Sequence, residues 1–430
     1  MKPNILYIHS HDTGRYIQPY GHAVSTPSLQ RLAEEGVLFR QNFCVQPTCS
    51  PSRAALLTGC YPHENGMTGL AHRGFSLNDY NQHIVHTLRK AGYNTALAGV
   101  QHIARATEDK EQWEVIGYDQ YLGEDGRLGA IEFLAESHDK PFFLAVGFHK
   151  THRPFPALDD APDDPRYCLP PAPLPDTPTV REDMARYKAS ARELDQKIGD
   201  VLDALARSGR ADDTLVICTT DHGIAFPHMK CNLTDDGIGV MLIMLGPPDF
   251  RGGKVVDEMT SHLDIFPTIC DLAGVEKPEW LWGTSLLPLV QQEPTTLHES
   301  LFFELNFHAA YEPIRAVRTK RWKYIKRFDG RRKPVLANCD TGISKNLLLE
   351  QGWSSYDQEQ EMLFDLLMDP HERNNLLSDA SCADLLADMR SRLTAWMEKT
   401  RDPLLTGQMP VPAGANLNDP DDISPARRKT

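Results

Sequence analysis

The sequence predicts an α/β protein built on a large, mostly parallel β-sheet flanked by helices, with a smaller α+β subdomain at the C-terminal end. Three observations predict this fold. Short apolar runs alternate with helical segments, the runs are too evenly apolar for amphipathic helices, and the sequence pattern changes near residue 300. With 430 residues, the chain is long enough to bury a large core.

Five apolar runs are typical of strands that are buried on both faces, because turn residues bound each run and polar side chains do not alternate within it. We expect all five to be parallel strands, at residues 4–10, 94–100, 141–148, 214–221 and 239–246.

Two helical segments are well marked between these runs. The first, 25–36, has Pro27 in its first turn and a glycine at its end, which are the usual start and stop signals of a helix. The second, 181–209, is long and amphipathic and also ends at a glycine. Helices that alternate with buried strands are expected on both faces of the sheet.

The C-terminal part of the chain has a different pattern. Residues 313–328 alternate apolar and basic side chains, as an antiparallel strand or hairpin does, and 383–400 form a clear helix. We therefore divide the chain into a main α/β domain, an α+β subdomain with an antiparallel sheet and a helix, and an extended tail, at residues 1–300, 301–402 and 403–430.

Composition narrows the classes of function. The net charge of −14 argues against general nucleic-acid binding, although a local basic pocket can still bind an anion. No apolar run reaches the roughly 18 residues of a membrane helix, and the N-terminus shows no export signal. The nine cysteines contain no C-x-x-C pair, so we expect reduced thiols in the cytoplasm and no membrane partner.

Polar residues follow four of the predicted strands at the point where each strand ends. Because the carboxyl ends of parallel strands share one edge of a sheet, and ligands collect at that edge, we expect these residues to face one cleft. They are residues 9–14, 101–102, 149–155 and 219–223.

Asp12, Asp221 and His222 are candidate metal ligands from two of these strand ends. Carboxylate oxygens suit calcium, and a histidine extends the choice to manganese or zinc. The alternative is that each aspartate only caps a neighbouring helix or loop.

A second group suits an anion with several oxygens, such as sulfate or phosphate, and proton transfer to a leaving group. The alternative is that the histidines are ordinary surface or core residues, and only their positions after predicted strands favour the functional interpretation. The group consists of Arg53, His102, His152, His228 and Lys230.

Cys49 begins the segment CSPSRAALLTG, at an expected helix N-terminus, where an anion or thiolate is stabilised. Arg53 lies one turn further along the same helix. The position favours a cysteine nucleophile, and the alternative is a buried cysteine in a tight turn.

The pattern C-x-P-S-R followed by AALLTG, at residues 49–59, resembles the signature of the sulfatase family within the alkaline phosphatase-like superfamily. The resemblance extends over most of the chain, and residues 49–70 and 141–155 look closest to the sulfamidase (N-sulfoglucosamine sulfohydrolase) branch. Other similar segments are 3–12, 26–43, 219–230, 315–325 and 363–376.

This resemblance implies an enzyme that hydrolyses a sulfate ester or sulfamate of a sugar or small molecule, with N-sulfoglucosamine as the first candidate. A formylglycine-generating enzyme would oxidise Cys49 to formylglycine, whose hydrate attacks sulfur and later expels sulfate. The implied cofactor is a divalent metal ion, calcium first and manganese as the alternative, with the ligands Asp12, Cys49, Asp221 and His222.

The resemblance also implies roles for the second group. Arg53 steadies the diol and His102 assists removal of its proton. His152 and Lys230 bind sulfate oxygens and help the leaving group. The residues expected to line the substrate pocket are His72, Arg73, His228 and His308.

Two positions depart from the family pattern. His11 stands where the family has a second aspartate, and Val100 stands where it commonly has a lysine. Lys150, His72 and Arg73 are the candidates to replace the lost cation. The departures keep two alternatives open, a phosphonate or phosphate ester hydrolase on the same scaffold and a non-catalytic, degenerate binding protein. The sequence leaves the oligomeric state open.

Overall fold

A nine-stranded sheet lies at the centre of the computed structural model, which describes residues 2–247, 249–291 and 295–426. Within these residues the strand order is β4-β3-β5-β1-β6-β8-β2-β7, and β9 also pairs with β2. The strands are β1 (Asn4–Ser10), β2 (Val37–Phe43), β3 (Asn94–Gly99), β4 (Gln120–Tyr121), β5 (Phe142–Gly147), β6 (Thr214–Thr220), β7 (Gly239–Val240), β8 (Leu242–Leu245) and β9 (Lys254–Ser261).

The middle of the sheet is parallel. Strand β1 pairs in parallel with β5 and with β6, and β5 pairs in parallel with β3. Strand β8 runs antiparallel to both β6 and β2, so β2 points the same way as β6. The carboxyl ends of five strands therefore meet at one edge of the sheet, which confirms the predicted fold class and the expected convergence of the strand ends.

The prediction of a parallel strand at 239–246 is wrong. This segment forms two short strands, and β8 is antiparallel to both of its neighbours. Burial on both faces makes a strand uniformly apolar whichever way it runs, so the apolar run indicated a buried strand but carried no information on its direction.

Helices cover both faces of the sheet. Ile5 and Tyr7 of β1 belong to one hydrophobic cluster and Leu6 and Ile8 to another, as the two-residue period of a strand requires. The helices are α1 (Pro27–Glu35), α2 (Cys49–Thr58), α3 (Pro62–Asn65), α4 (Ile84–Lys90), α5 (Gln112–Ile116), α6 (Gly126–Ala135), α7 (Pro178–Arg207), α8 (Asp235–Ile238), α9 (Ile265–Ala273), α10 (Leu287–Val290), α11 (Ile343–Glu350) and α12 (Ala383–Lys399). None of these helices is long and apolar enough to cross a bilayer.

A separate antiparallel sheet follows in the chain, with the order β10-β11-β12-β13. The pairing of β11 with β12 confirms the expected hairpin. Two of its basic residues, Arg315 and Lys323, are fully buried. The strands are β10 (Leu301–Phe307), β11 (Tyr311–Arg318), β12 (Trp322–Arg327) and β13 (Glu361–Asp365).

The tail is fixed to the body of the protein. Arg73 donates hydrogen bonds to the backbone oxygens of Asn416 at 3.1 Å and Pro425 at 2.7 Å, and Lys345 donates to Ile423 at 2.7 Å. The last part of the predicted tail, 427–430, lies outside the described residues. The division at residues 300 and 402 stays a prediction.

Candidate active site

Cys49 is the first residue of α2, and the path of β2 brings it to the polar edge of the sheet. After β2 ends at Phe43, the chain reaches Thr48 in an extended conformation and then turns into the helix. Cys49 is 2 % exposed, and its Sγ lies 3.4 Å from Nε2 of His222. Burial, reinforced by the carboxylates of Asp12 and Asp221 against Lys230, raises the pKa of the Cys49 thiol well above its usual value.

A thiol with a raised pKa is a poor nucleophile, because the thiolate is the reactive form. A directly attacking cysteine would need a further group, such as a bound cation, to favour its thiolate. A role for Cys49 as the precursor of another group is consistent with this environment.

Arg53 lies one turn along α2 and binds Asp221. Its Nη2 is 3.0 Å from Asp221 Oδ2 and donates to the Ser10 carbonyl at 2.8 Å, and Nη1 contacts His9. Burial alone would raise the pKa of Asp221, but His222, then Arg53, hold that pKa well below its usual range. Asp221 is therefore an ionised carboxylate at the centre of the site.

Asp12 lies between His222 and Lys230. Its Oδ1 is 3.2 Å from His222 Nε2, its Oδ2 is 3.1 Å from Lys230 Nζ, and its backbone N–H donates to Asp221 Oδ1 at 2.8 Å. The residue has a φ of 51°, in the left-handed region that aspartate tolerates better than most residues. This backbone conformation turns the chain at the end of β1 and places the carboxylate against the next strand end.

The donor atoms at this point fit a divalent cation. Ligand atoms of His11, Asp12, Cys49 and Asp221 all lie within 4.8 Å of one another. In the part of the chain that the structure describes, Asp12 Oδ1 and His11 Nε2 are buried without a hydrogen bond, and His11 Nδ1 lies 3.1 Å from Asp221 Oδ2. An unsatisfied buried polar group costs about 1–3 kcal/mol, and a bound cation would satisfy Asp12 Oδ1 and one nitrogen of His11.

Lys230 connects this cluster to Asp340, a residue that the sequence did not single out. Its Nζ is 2.8 Å from Asp340 Oδ2. Burial acts to lower the pKa of Lys230, but Asp12 and then Asp340 outweigh it and hold that pKa well above its usual value. Lys230 is therefore a fixed positive charge beside the cysteine.

Histidines line the cavity that opens onto this cluster, which has a volume of about 750 Å³. His102 follows β3, and its Nε2 is 3.0 Å from Nδ1 of His72. Burial and then Arg53 lower the pKa of His102 well below its usual value, so its imidazole is neutral. His152 Nε2 is 4.0 Å from Asp12 Oδ2.

Aromatic and acidic side chains also line this cavity, together with Val100. An aromatic ring gives a flat apolar surface of the kind that packs against a sugar ring, and carboxylates can accept hydrogen bonds from hydroxyls. These side chains include Trp113, Tyr121, Glu111 and Glu124.

The remaining candidates lie in different places. Arg73 holds the tail, and His228 packs against Trp353 in a second cavity of about 450 Å³, with the ring centroids 5.0 Å apart. His308 is buried, and its lowered pKa reflects burial first and then the charge of Lys230. Lys150 pairs with Glu193 at 2.8 Å.

The suggested replacements for the missing lysine are Lys150, His72 and Arg73. Of these three residues, His72 lines the active-site cavity. Sequence reasoning did not assign site roles to Asp340, His9 and His149. His9 and His149 belong to polar clusters at strand ends, so position gave a signal for them. Asp340 lies in a C-terminal loop with no motif around it.

Comparisons with known proteins agree with this geometry. A family model described as sulfatase matches residues 3–275, and one described as the C-terminal part of N-sulphoglucosamine sulphohydrolase matches 228–336. The N-sulphoglucosamine sulphohydrolase of Homo sapiens is 31% identical over 93% of this chain and 91% of its own length.

Two solved structures show the same fold. One protein, in complex with its substrate D-glucosamine-2-N,6-O-disulfate, superposes with a TM-score of 0.73 at 20% identity, over 95% of this chain and 100% of its own. The phosphonate monoester hydrolase of Agrobacterium radiobacter superposes with a TM-score of 0.69 at 21% identity, over 93% and 96%. At these sequence identities, the similarity to the two structures supports the fold alone.

Proposed function

The chain belongs to the sulfatase family of hydrolases, and from that premise we propose that it removes sulfate from a small sulfated sugar with Cys49 in its formylglycine form. One observation carries the proposal. Cys49 is buried at the start of α2, 3.4 Å from His222, with Arg53 and Lys230 near the same point, and burial first raises the pKa of its thiol. A thiol in this setting is suited to be a precursor.

As formylglycine, position 49 supplies a hydrated aldehyde whose hydroxyl attacks sulfur. The protein side chains provide the charge and the proton acceptor that this attack needs. Lys230, held between two carboxylates, is positioned to bind sulfate oxygens, and neutral His102 can accept a proton. Arg53 fixes Asp221 and balances its charge in a site closed to solvent.

A divalent cation completes the proposed site, with Asp12, position 49, Asp221 and His222 as the expected ligands. The resemblance implies calcium, and manganese is the alternative that a histidine ligand favours. When bound, the ion supplies Lewis-acid stabilisation of negative charge on the sulfate oxygens.

We propose an amino sugar as the sulfated substrate. The relative from Homo sapiens is named as an N-sulphoglucosamine sulphohydrolase, and the aromatic rings of Trp113 and Tyr121 in the cavity lining suit a sugar ring. The candidates for substrate contacts remain His72, Arg73, His152, His228 and His308.

Sulfate release from N-sulfoglucosamine, 6-O-sulfated glucosamine and an aryl sulfate tests the proposal. The protein used must first be shown by intact-mass analysis to carry formylglycine at position 49. We expect release from at least one substrate, and no release from any of them would contradict the proposed function.

A phosphonate or phosphate ester hydrolase is the second candidate function. The presence of a valine at position 100 favours it. Val100 lines the cavity where the family commonly places a lysine, so the charge next to the substrate oxygens differs from the usual arrangement. Turnover of matched aryl sulfate and aryl phosphonate esters separates the two functions.

Maturation by a formylglycine-generating enzyme and a location in the cytoplasm belong to the same proposal. All nine cysteines, which lie within the described residues, are unpaired, as is usual in a reducing compartment. Intact-mass analysis of protein from cells with and without the maturing enzyme tests the first point, and cell fractionation tests the second.

A further inference from the structure

His11 is a buried histidine of the cavity without a role in the proposed reaction. It is 2 % exposed. Nδ1 lies 3.1 Å from Asp221 Oδ2 and 4.0 Å from Asp12 Oδ1, whereas Nε2 is buried without a hydrogen bond to any described residue. A buried ring nitrogen without a partner is unfavourable in a protein interior. Ligand atoms of His11, Asp12, Cys49 and Asp221 lie within 4.8 Å of one another, so this position suits a shared ligand.

The groups around this point are electron-pair donors. Asp12 Oδ1 has no hydrogen bond. His222 Nδ1 donates to the Gly223 carbonyl at 3.0 Å, which leaves Nε2, 3.2 Å from Asp12 Oδ1, as the ring nitrogen available to a metal. Carboxylate oxygens and imidazole nitrogens that converge on one point match a metal cation.

We propose that His11 is a ligand of the cation and that, together with His222, it makes this a nitrogen-containing site selective for a first-row transition metal over calcium. The inference rests on the cation of the proposed function and adds a ligand and the class of ion. Calcium prefers cages of six to eight oxygens, whereas imidazole suits transition metals. A site with two imidazoles and two carboxylates is poor in oxygen ligands.

The packing around His11 supports a preorganised metal site. Its ring is enclosed by three other histidines, with centroid distances of 5.6 Å to His102, 5.8 Å to His149 and 5.5 Å to His152. This packing restricts the ring, so His11 is oriented before any ion binds. A pre-oriented ligand loses little freedom on binding.

The experiment measures the affinity for Mn²⁺, Zn²⁺ and Ca²⁺ by calorimetry on chelator-stripped protein. It uses a Cys49→Ala background, so that neither sulfur nor aldehyde oxygen contributes to the preference. We expect one transition-metal ion per chain, bound at least about tenfold more tightly than Ca²⁺.

His11→Asp in the same background restores an oxygen ligand. It should lower the ratio of transition-metal to calcium affinity by at least about tenfold. His371→Asp is the matched control, because His371 is exposed and lines a different cavity, and it should leave the ratio unchanged.

Equal or tighter binding of Ca²⁺ by the parent protein, or an unchanged ratio in His11→Asp, would overturn the proposal. Should His11→Asp not fold, pulsed EPR of the Mn²⁺-loaded parent decides: hyperfine coupling to nitrogens of both imidazoles supports the proposal, and its absence contradicts it. Sulfate release is measured separately on the formylglycine form. Absence of release with an intact metal preference would contradict the proposed function alone, and release without that preference would contradict this inference alone.

Discussion

The active-site edge and the C-terminal sheet both bury charged and polar groups, but the two regions differ in whether those groups have partners. In the C-terminal sheet each buried cation contacts opposite charges: Arg315 Nη2 is 3.6 Å from Glu304, and its guanidinium also pairs with Asp402. Lys323 contacts Glu372 at 2.8 Å. At the active-site edge, buried atoms of His11, Asp12 and His102 make no hydrogen bond within the described part of the chain.

This difference helps to distinguish residues that are buried for stability from residues that are buried for function. A buried charge that is fully paired is consistent with a structural role, whereas unpaired buried atoms that cluster in a cavity are candidates for ligand binding. A single unpaired atom carries less weight, since Asn306 Oδ1 in the C-terminal sheet is one too. Burial alone would have ranked Arg315 and His11 as equally important for the site. Pairing distinguishes them.

Cys49→Ala should have the largest effect on the active-site region. Loss of the reacting group should reduce turnover by roughly 10⁴-fold or more, while circular dichroism and the unfolding midpoint stay close to those of the parent, since only one small buried group is removed. Cys382→Ala, at a half-buried cysteine outside the site, is the control and should retain turnover. Turnover near that of the parent in Cys49→Ala would remove Cys49 from the mechanism.

Arg315→Ala should have the largest effect on the C-terminal sheet. Removing one partner of a buried ion pair leaves Asp402 charged and unpaired, which should lower the free energy of unfolding by about 3–5 kcal/mol. Urea unfolding measures this loss. Arg392→Ala removes an exposed pair with Asp388 and should cost less than about 1 kcal/mol. A similar loss in both variants would contradict the structural role of Arg315.

The buried pair of Glu304 and His63 predicts a smaller, pH-dependent effect. Burial acts to raise the pKa of Glu304, but His63 and Arg315 lower it from 4.5 to about 2. A carboxyl group with a lowered pKa stabilises the fold fully at pH values above its ordinary pKa. This stabilisation is lost as the pH falls towards the lowered pKa. The difference in unfolding free energy between parent and Glu304→Gln should therefore shrink from pH 4.5 towards 2. A difference independent of pH in that range would contradict the pairing.

The contribution of His63 to the free energy of unfolding depends on pH in the opposite direction to that of Glu304. Burial lowers the pKa of His63, but Glu304 outweighs this and raises it overall, so its contribution is complete below the ordinary imidazole pKa of about 6.5 and is lost as the pH rises through the higher, folded value. His63→Phe should remove this alkaline loss, as unfolding measured from pH 6 to 9 would show.

His11→Leu should have the smallest effect on stability. The leucine leaves no polar group unpaired, so the unfolding free energy of the metal-free protein should change by less than about 1 kcal/mol, while metal binding is lost. Urea unfolding with and without metal measures both. A loss as large as that of Arg315→Ala would show that His11 serves the fold.

The sequence predicted the active-site edge well because it is made of local signals. Strand ends followed by polar clusters placed Asp12, His102, His152 and Asp221 at one edge, since parallel strands force their carboxyl ends together. The short signature around Cys49 predicted both the start of α2 and the family of the chain. None of these inferences needed knowledge of which strands are neighbours.

Residues far apart in the chain could not be placed in this way. Asp340 reaches Lys230 only through the folded C-terminal part, and no local pattern marks it. The direction of β8 was missed because a doubly buried strand has the same composition in either direction. Arg73 stays a prediction for the substrate pocket, and no local pattern indicated that it also binds oxygens of the tail, more than 300 residues away in sequence.

The complete burial of α2 constrains when Cys49 can be modified. All ten residues of this helix are buried in the folded chain, so a modifying enzyme has no access to the segment once the domain has formed. The proposed oxidation of Cys49 would therefore have to precede packing, during synthesis or before folding is complete. We expect purified protein that folded with a thiol at position 49 to stay unmodified when incubated with the formylglycine-generating enzyme, and the unfolded chain to be converted. Mass spectrometry of both samples checks this order of events, and conversion of the folded protein would contradict it.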